Sequence, residues 1–206
     1  MSLFAALFGR RRAPQVADVG AFAAFLAAQG AFVAQKTVMD YCGVKLGVNW
    51  QKAQEEPVFA ELLADCRWRV YFAAQGDVAA MAESWLRPFA PGREAALAEA
   101  LAGLAAEAIG SAGAPPRLAA EAEAARAGMA ARLAQRQLAA PRPANTLALD
   151  AGPVLLETLP IHPDLRKGER VSILGGLRMH IVAAQQEMER RFAPAPLAAA
   201  LTERAP

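Results

Sequence analysis

The chain has 206 residues and a mass of 21.7 kDa, enough for one ordinary domain or two small ones. Hydrophobic residues make up 55% and mean hydropathy is +0.18, which excludes a chain disordered by composition. With 22 basic and 20 acidic residues the formal net charge is +2, too balanced for a dedicated nucleic-acid binder, and two cysteines exclude a disulfide-framed scaffold.

Residues 1–15 are read as a flexible or membrane-surface segment. Leu3, Phe4, Leu7 and Phe8 precede Arg10, Arg11 and Arg12, the reverse of the charge order in a secretory signal. The same residues share one helical face beside three cations, so residues 1–12 can rest on an anionic membrane surface. No uncharged apolar run approaches the ~20 residues that a spanning helix needs.

Residues 16–192 read as a single helical domain, with almost no strand signal. Asp18 is an N-cap for a first helix running to Gly43 or Gly47. Phe22, Phe25, Leu26, Phe32, Val33 and Met39 fall on one arc of its wheel. A polar, aromatic connector follows over 47–52. The second helix starts at Pro57, with Glu55 and Glu56 ahead of it, and ends at Leu86 before Pro88. Its apolar stripe includes Phe59, Leu62, Leu63, Cys66, Val70, Met81 and Trp85.

Composition then shifts. Residues 93–140 hold 21 of the chain's 52 alanines and no aromatic side chain. Two helices fit, 93–109 and 116–139, split by Gly110–Pro116. Small side chains bury little area each, so this stretch is expected to be a peripheral hairpin. Residues 141–163, rich in proline, form an irregular connector with room for a short element at 154–159. The last long helix spans 164–192, starting as late as Glu169, with Gly175 and Gly176 inside it at a cost of ~1 kcal/mol each against Ala. Tight packing or a helix break would account for them. Residues 193–206 are bracketed by prolines, a short appended helix or a tail. The fold expected is an all-α irregular bundle of five or six helices, the alanine-rich hairpin attached to an aromatic-rich core. Thirteen of the 14 aromatics precede residue 93, and Phe192 is the other.

The chemistry visible in the sequence is sparse. Two histidines 18 residues apart, with no HExxH or CxxC, give no metal site. No GxxxxGK[ST] or GxSxG occurs, so neither a nucleotide cofactor nor a standard hydrolase site is expected. Cys66 lies in an apolar stripe as a buried thiol, whereas Cys42 is nearer a helix end and partly exposed. Lys45, Trp50, Lys52, Arg67, Trp68 and Arg69 mix aromatics with cations, but residues 36–69 carry five basic and five acidic side chains, so a nucleic-acid partner is not expected.

The informative feature is polar residues on apolar faces. Turning 100° per residue from Phe22 brings Gln29, Lys36 and Asp40 within about 40° of it. Asp77 repeats the angular position of Phe59 on the second helix. Arg178 sits at the edge of the last helix's apolar face. Buried charges must pair or neutralise. Lys36, Asp40, Asp77 and Arg178 are therefore read as a two-plus, two-minus cluster, either an interhelical network that sets packing or the lining of a ligand pocket. Tyr41, Trp50, Lys52 and Trp68 are read as an interaction surface.

These features point to a non-enzymatic helical interaction protein, an assembly factor or adaptor. It is expected to be cytoplasmic or peripheral on the inner membrane, with another protein as partner and no cofactor. Arginine outnumbers lysine 18 to 4, the usage of a GC-rich bacterial genome. The alternative is an α-helical pocket protein for a small or lipid-like ligand, with hydrolysis as the nearest chemistry.

Overall fold

The computed structural model describes residues 16–203. Among these the chain is all-α, with nine α-helices and no strand. The expected membrane-surface segment, residues 1–15, lies outside the described residues. No described helix is long and apolar enough to cross a membrane.

Helix α1 spans Val19–Leu46 and starts where Asp18 accepts the Ala21 N–H on its side chain at 2.6 Å. It stops at Gly47, whose φ of 50° is a conformation that favours glycine. A 3-10 turn leads into the short α2, Trp50–Glu55. Helix α3, Pro57–Leu86, has Pro57 in its first turn, and the Glu56 carboxylate accepts the N–H groups of Val58 and Phe59. Its bounds match those read from the sequence.

From Val70 to Glu83 every residue of α3 is buried. A helix enclosed on all sides is the centre of a bundle, not a two-faced surface helix. Helices α1, α4, α6, α7, α8 and α9 pack around it. Helix α4 is Glu94–Ser111, α5 Ala119–Ala127, α6 Met129–Gln137, α7 Ala151–Thr158, α8 Arg170–Arg191 and α9 Pro194–Glu203.

Three expectations are corrected here. The alanine-rich stretch is not a peripheral hairpin: α4 buries Leu97, Leu101, Ala105 and Ile109 against α3 and α1. Its alanines let the backbones approach, which turns a low burial per residue into a core position. Only α5 is peripheral, with Ala122 its one buried residue. The second helix of the expected pair is divided at Gly128 into α5 and α6. Finally, residues 194–203 are a packed helix, with Leu197, Ala198 and Leu201 buried, and not a tail. The connector 141–163 does contain one short helix, α7.

The start of the described chain is pinned to the α8–α9 junction. Val16 pairs with the α8–α9 junction through Val16 N–H to Arg191 O (2.9 Å) and Ala193 N–H to Val16 O (3.0 Å). Beside them Phe192 packs edge-on against Phe22 and Phe25, centroids 5.0 and 5.3 Å apart. The late aromatic thus joins those of the first helix.

Two glycines show opposite uses of a missing side chain. At Gly30 of α1 a Cβ would lie 1.7 Å from Gln75 Oε1, so the bare backbone makes the slot that the buried Gln75 side chain fills. At Gly175, on the exposed face of an unbroken α8, nothing lies within 4 Å. Neither tight packing nor a helix break accounts for Gly175 or Gly176. Gly30→Ala should destabilise by about 1–3 kcal/mol through overpacking, despite its helix-propensity gain. Gly175→Ala should stabilise by up to ~1 kcal/mol. Urea unfolding of the two variants measures both signs.

Candidate functional site

The enclosed part of α3 carries three polar side chains, Gln75, Asp77 and Glu83, and each addresses a different neighbour. Gln75 Nε2 donates to the Leu26 carbonyl of α1 at 3.3 Å. Glu83 receives both Nε and Nη2 of Arg87 at 2.7 Å, plus Gln137 Nε2 of α6 at 2.9 Å. Gln137 also donates to the Glu94 carbonyl, so the α3 end, the α4 start and the α6 end are tied together. Asp77 faces the start of α7. Its Oδ1 accepts the Asp150 N–H at 2.8 Å and its Oδ2 the Ala151 N–H at 2.9 Å.

That last contact is a helix cap supplied from another helix. The Asp150 backbone is already αR, and its own side chain makes no capping bond. The first N–H groups of α7 would be orphaned without Asp77. The Asp150 carboxylate instead receives Arg136 Nη2 at 2.9 Å and lies 3.4 Å from Arg132 Nε. Arg132 crosses the bare backbone of Gly76, where a Cβ would sit 2.1 Å from its Nη1.

The charged group beside Asp77 is Asp150 with its partners Arg132 and Arg136, and Asp77 itself makes no ion pair among the described residues. Lys36, Asp40 and Arg178 are not in it. Lys36 and Asp40 pair with each other at 2.9 Å, each side chain 48% exposed. Asp40 also lies 3.8 Å from Nε2 of the buried His180. Burial holds that imidazole below its ordinary value, the Asp40 carboxylate pulls it back up and the Lys36 ammonium adds to the lowering. Arg178 donates to the carbonyls of Ala144 and Leu147, holding that turn onto α8.

A fixed wheel misplaced Lys36 and Asp40 because the buried stripe of α1 does not run parallel to the axis. It follows Phe22, Leu26, Gly30, Ala34, Val38 and Cys42, all buried and four residues apart. Such a ridge is inclined to the axis. By the later turns it has moved around the helix and left Lys36 and Asp40 in water. The same drift buries Cys42 fully, correcting its expected partial exposure. Burial pushes the Cys42 thiol up to about 12 and Cys66 up to about 11, so both stay protonated at neutral pH.

The expected interaction surface is mostly packed. Trp50 stacks edge-on against Phe59, and Trp68 contacts the rings of Tyr71 and Phe72. The Tyr41 hydroxyl donates to Glu169 Oε2 at 2.7 Å, and Lys45 pairs with the other oxygen of that carboxylate. Lys52 is exposed. The apolar side chains that stand in water nearby are instead Val44 (87% exposed) and Val48 (99%). Glu83, Asp150, Arg132 and Arg136 were missed in the sequence. For Glu83 the available signal was Arg87 four residues on; for the other three, only the fold brings them together.

No group of three or more His, Cys, Asp or Glu able to hold a metal occurs among the described residues. No family model, curated protein or solved structure matches this chain, so its site is read from its own geometry.

Burial pushes the Asp77 carboxyl up from 3.8 to about 7, against the two backbone N–H groups and Arg132, which pull it down. The folded state thus holds this proton to higher pH than the unfolded chain. The stability contributed by this group is fully present below its unfolded value and is lost as pH rises through about 7. The stability of wild type minus that of Asp77→Asn should accordingly increase as pH falls from about 8 to about 5 in chemical denaturation. Asp77→Ala leaves two donors of α7 without acceptors and should cost about 2–4 kcal/mol.

Proposed function

We propose that this chain is a non-enzymatic helical interaction protein that docks another protein on one end of its bundle. One observation supports the reading. The Tyr41–Glu169–Lys45 contacts hold the last turn of α1 beside the first turn of α8. On the two segments that these contacts join, Val44, Val48, Leu165 and Val171 stand in water, with exposures of 87, 99, 57 and 82%.

Single exposed apolar residues are ordinary, but a group of large ones at one end of a bundle marks a surface that is covered in use. Water gains nothing from their exposure, and each fully buried valine contributes roughly 1.5 kcal/mol or more to association. The backbone beneath Val44 and Val171 is helical and braced by the shared Glu169, so little ordering is needed on binding. Lys52, Lys167 and Arg170 flank the junction and fit a polar rim. An assembly factor or adaptor uses such a rigid, prebuilt face.

Because both side chains lie in solvent, Val44→Glu with Val48→Glu should leave thermal unfolding unchanged. Tagged wild-type and variant proteins would be purified from the native cell and their co-purifying proteins quantified by mass spectrometry. A partner retained by wild type and lost by the variant is expected. Identical sets for the two proteins would remove the reading.

A further inference from the structure

A second surface, away from the α1–α8 junction, has a different chemistry. Helices α1, α3 and α4 leave a groove of about 410 Å³ between them. Its lining is dominated by alanines, among them Ala31 of α1, Ala64 of α3 and Ala108 of α4. Trp68 and Tyr71 add aromatic surface on the α3 side. The Tyr71 hydroxyl donates to the Ala108 carbonyl at 2.9 Å. The groove is mostly apolar, with Gln35, Arg67 and Ser111 as its polar lining, and it exists because short side chains face each other across it.

One cation lines it. Arg67 is half-buried, and the acceptor for its guanidinium is the neutral Gln35 Oε1, at 3.3 Å from Nη2. Its Nε is screened from water and has no acceptor. No carboxylate lies within ion-pair reach of it among the described residues. Its neighbour Arg69 is paired with Glu121, and Arg117 on the far side of Glu61 and Asp65 with both of them. A partly desolvated guanidinium without an anion is costly, and it presents a planar fork suited to a carboxylate. An alanine-lined groove of a few hundred Å³ with one cation is the complement of an amphiphile: an aliphatic chain with a single anionic head.

We propose that the α1–α3–α4 groove binds a free fatty acid, its carboxylate on the Arg67 guanidinium and its chain along the alanines beside Trp68. This is independent of the docking end, which involves none of these residues. The carboxylate supplies the anion that the fold withholds from Arg67. The chain covers apolar surface that three converging helices leave in water.

Dodecanoate below its micellar concentration is the probe, titrated into the full chain by calorimetry, with dodecanol as the same chain without charge. Wild type should bind dodecanoate saturably at one site. Dodecanol should bind about tenfold or more weakly, the worth of a charge-assisted hydrogen bond. Arg67→Met keeps the stem and removes the charge, and should weaken dodecanoate about tenfold while leaving dodecanol unchanged. Ala31 is exposed, so Ala31→Trp fills the groove without a demand on the core, and it should abolish binding of both. The Val44→Glu, Val48→Glu variant should bind dodecanoate as wild type does, which separates this site from the docking end. No saturable heat with dodecanoate, equal affinity for dodecanol, or undiminished binding by folded Ala31→Trp would each overturn the proposal.

Discussion

The enclosure of α3 between Val70 and Glu83 is the constraint on which the rest of this structure depends. A helix buried on one face can turn its polar residues to water, and a helix buried on every face cannot. Gln75, Asp77 and Glu83 must therefore find partners in the protein, and each finds them on a different helix. The three sets of bonds act as registration points for α1, α7 and α6 around the central helix. Asp77 and Glu83, with both carboxylate oxygens bonded, specify one arrangement among the many that apolar packing alone would tolerate, while Gln75 is held by its Nε2 alone and its Oε1 has no partner.

The same enclosure explains the small residues along α3 and its neighbours. Six or more helices cannot crowd around one axis if each contributes large side chains. Ala73, Ala74, Gly76, Ala79, Ala80 and Ala82 keep the central helix thin. Gly30 goes further and admits Gln75 into its own backbone, and Gly76 lets Arg132 lie across it. The alanine richness that reads as weak core material is here what permits a central helix. Where the alanines of α1, α3 and α4 diverge, just before the enclosed segment, they leave the Arg67 groove instead of a contact.

Electrostatics follow the same division between inside and surface. Inside, Asp77 caps the start of α7 with Asp150 and Arg132 beside it, and burial pushes its carboxyl up to about 7. At the surface, Arg69, Arg117 and Arg126 are paired with carboxylates across or along helices. Exposed pairs of that sort add little stability. Arg67, like Arg166 and Arg178, is half-buried with only neutral acceptors, but its Nε has none and it lines an open groove.

Much of the architecture was legible in the chain itself. The start of α1 at Asp18 and the whole of α3 follow from caps, proline and apolar spacing, which act within a few residues and need no partner. So did the burial of Asp77, because its angular position repeats that of Phe59. What Asp77 would touch was not legible. Its acceptors are needed by α7, whose first residue lies 74 positions on, and nothing local ties the two. Lys36 and Asp40 were placed inside for the same reason in reverse. A wheel assumes that the buried face runs along the helix axis, while packing against α3 made it follow an inclined four-residue ridge from Phe22 to Cys42. Local chemistry decides where helices begin and end. The direction from which neighbours approach decides which of their residues meet, and that direction exists only in the folded bundle.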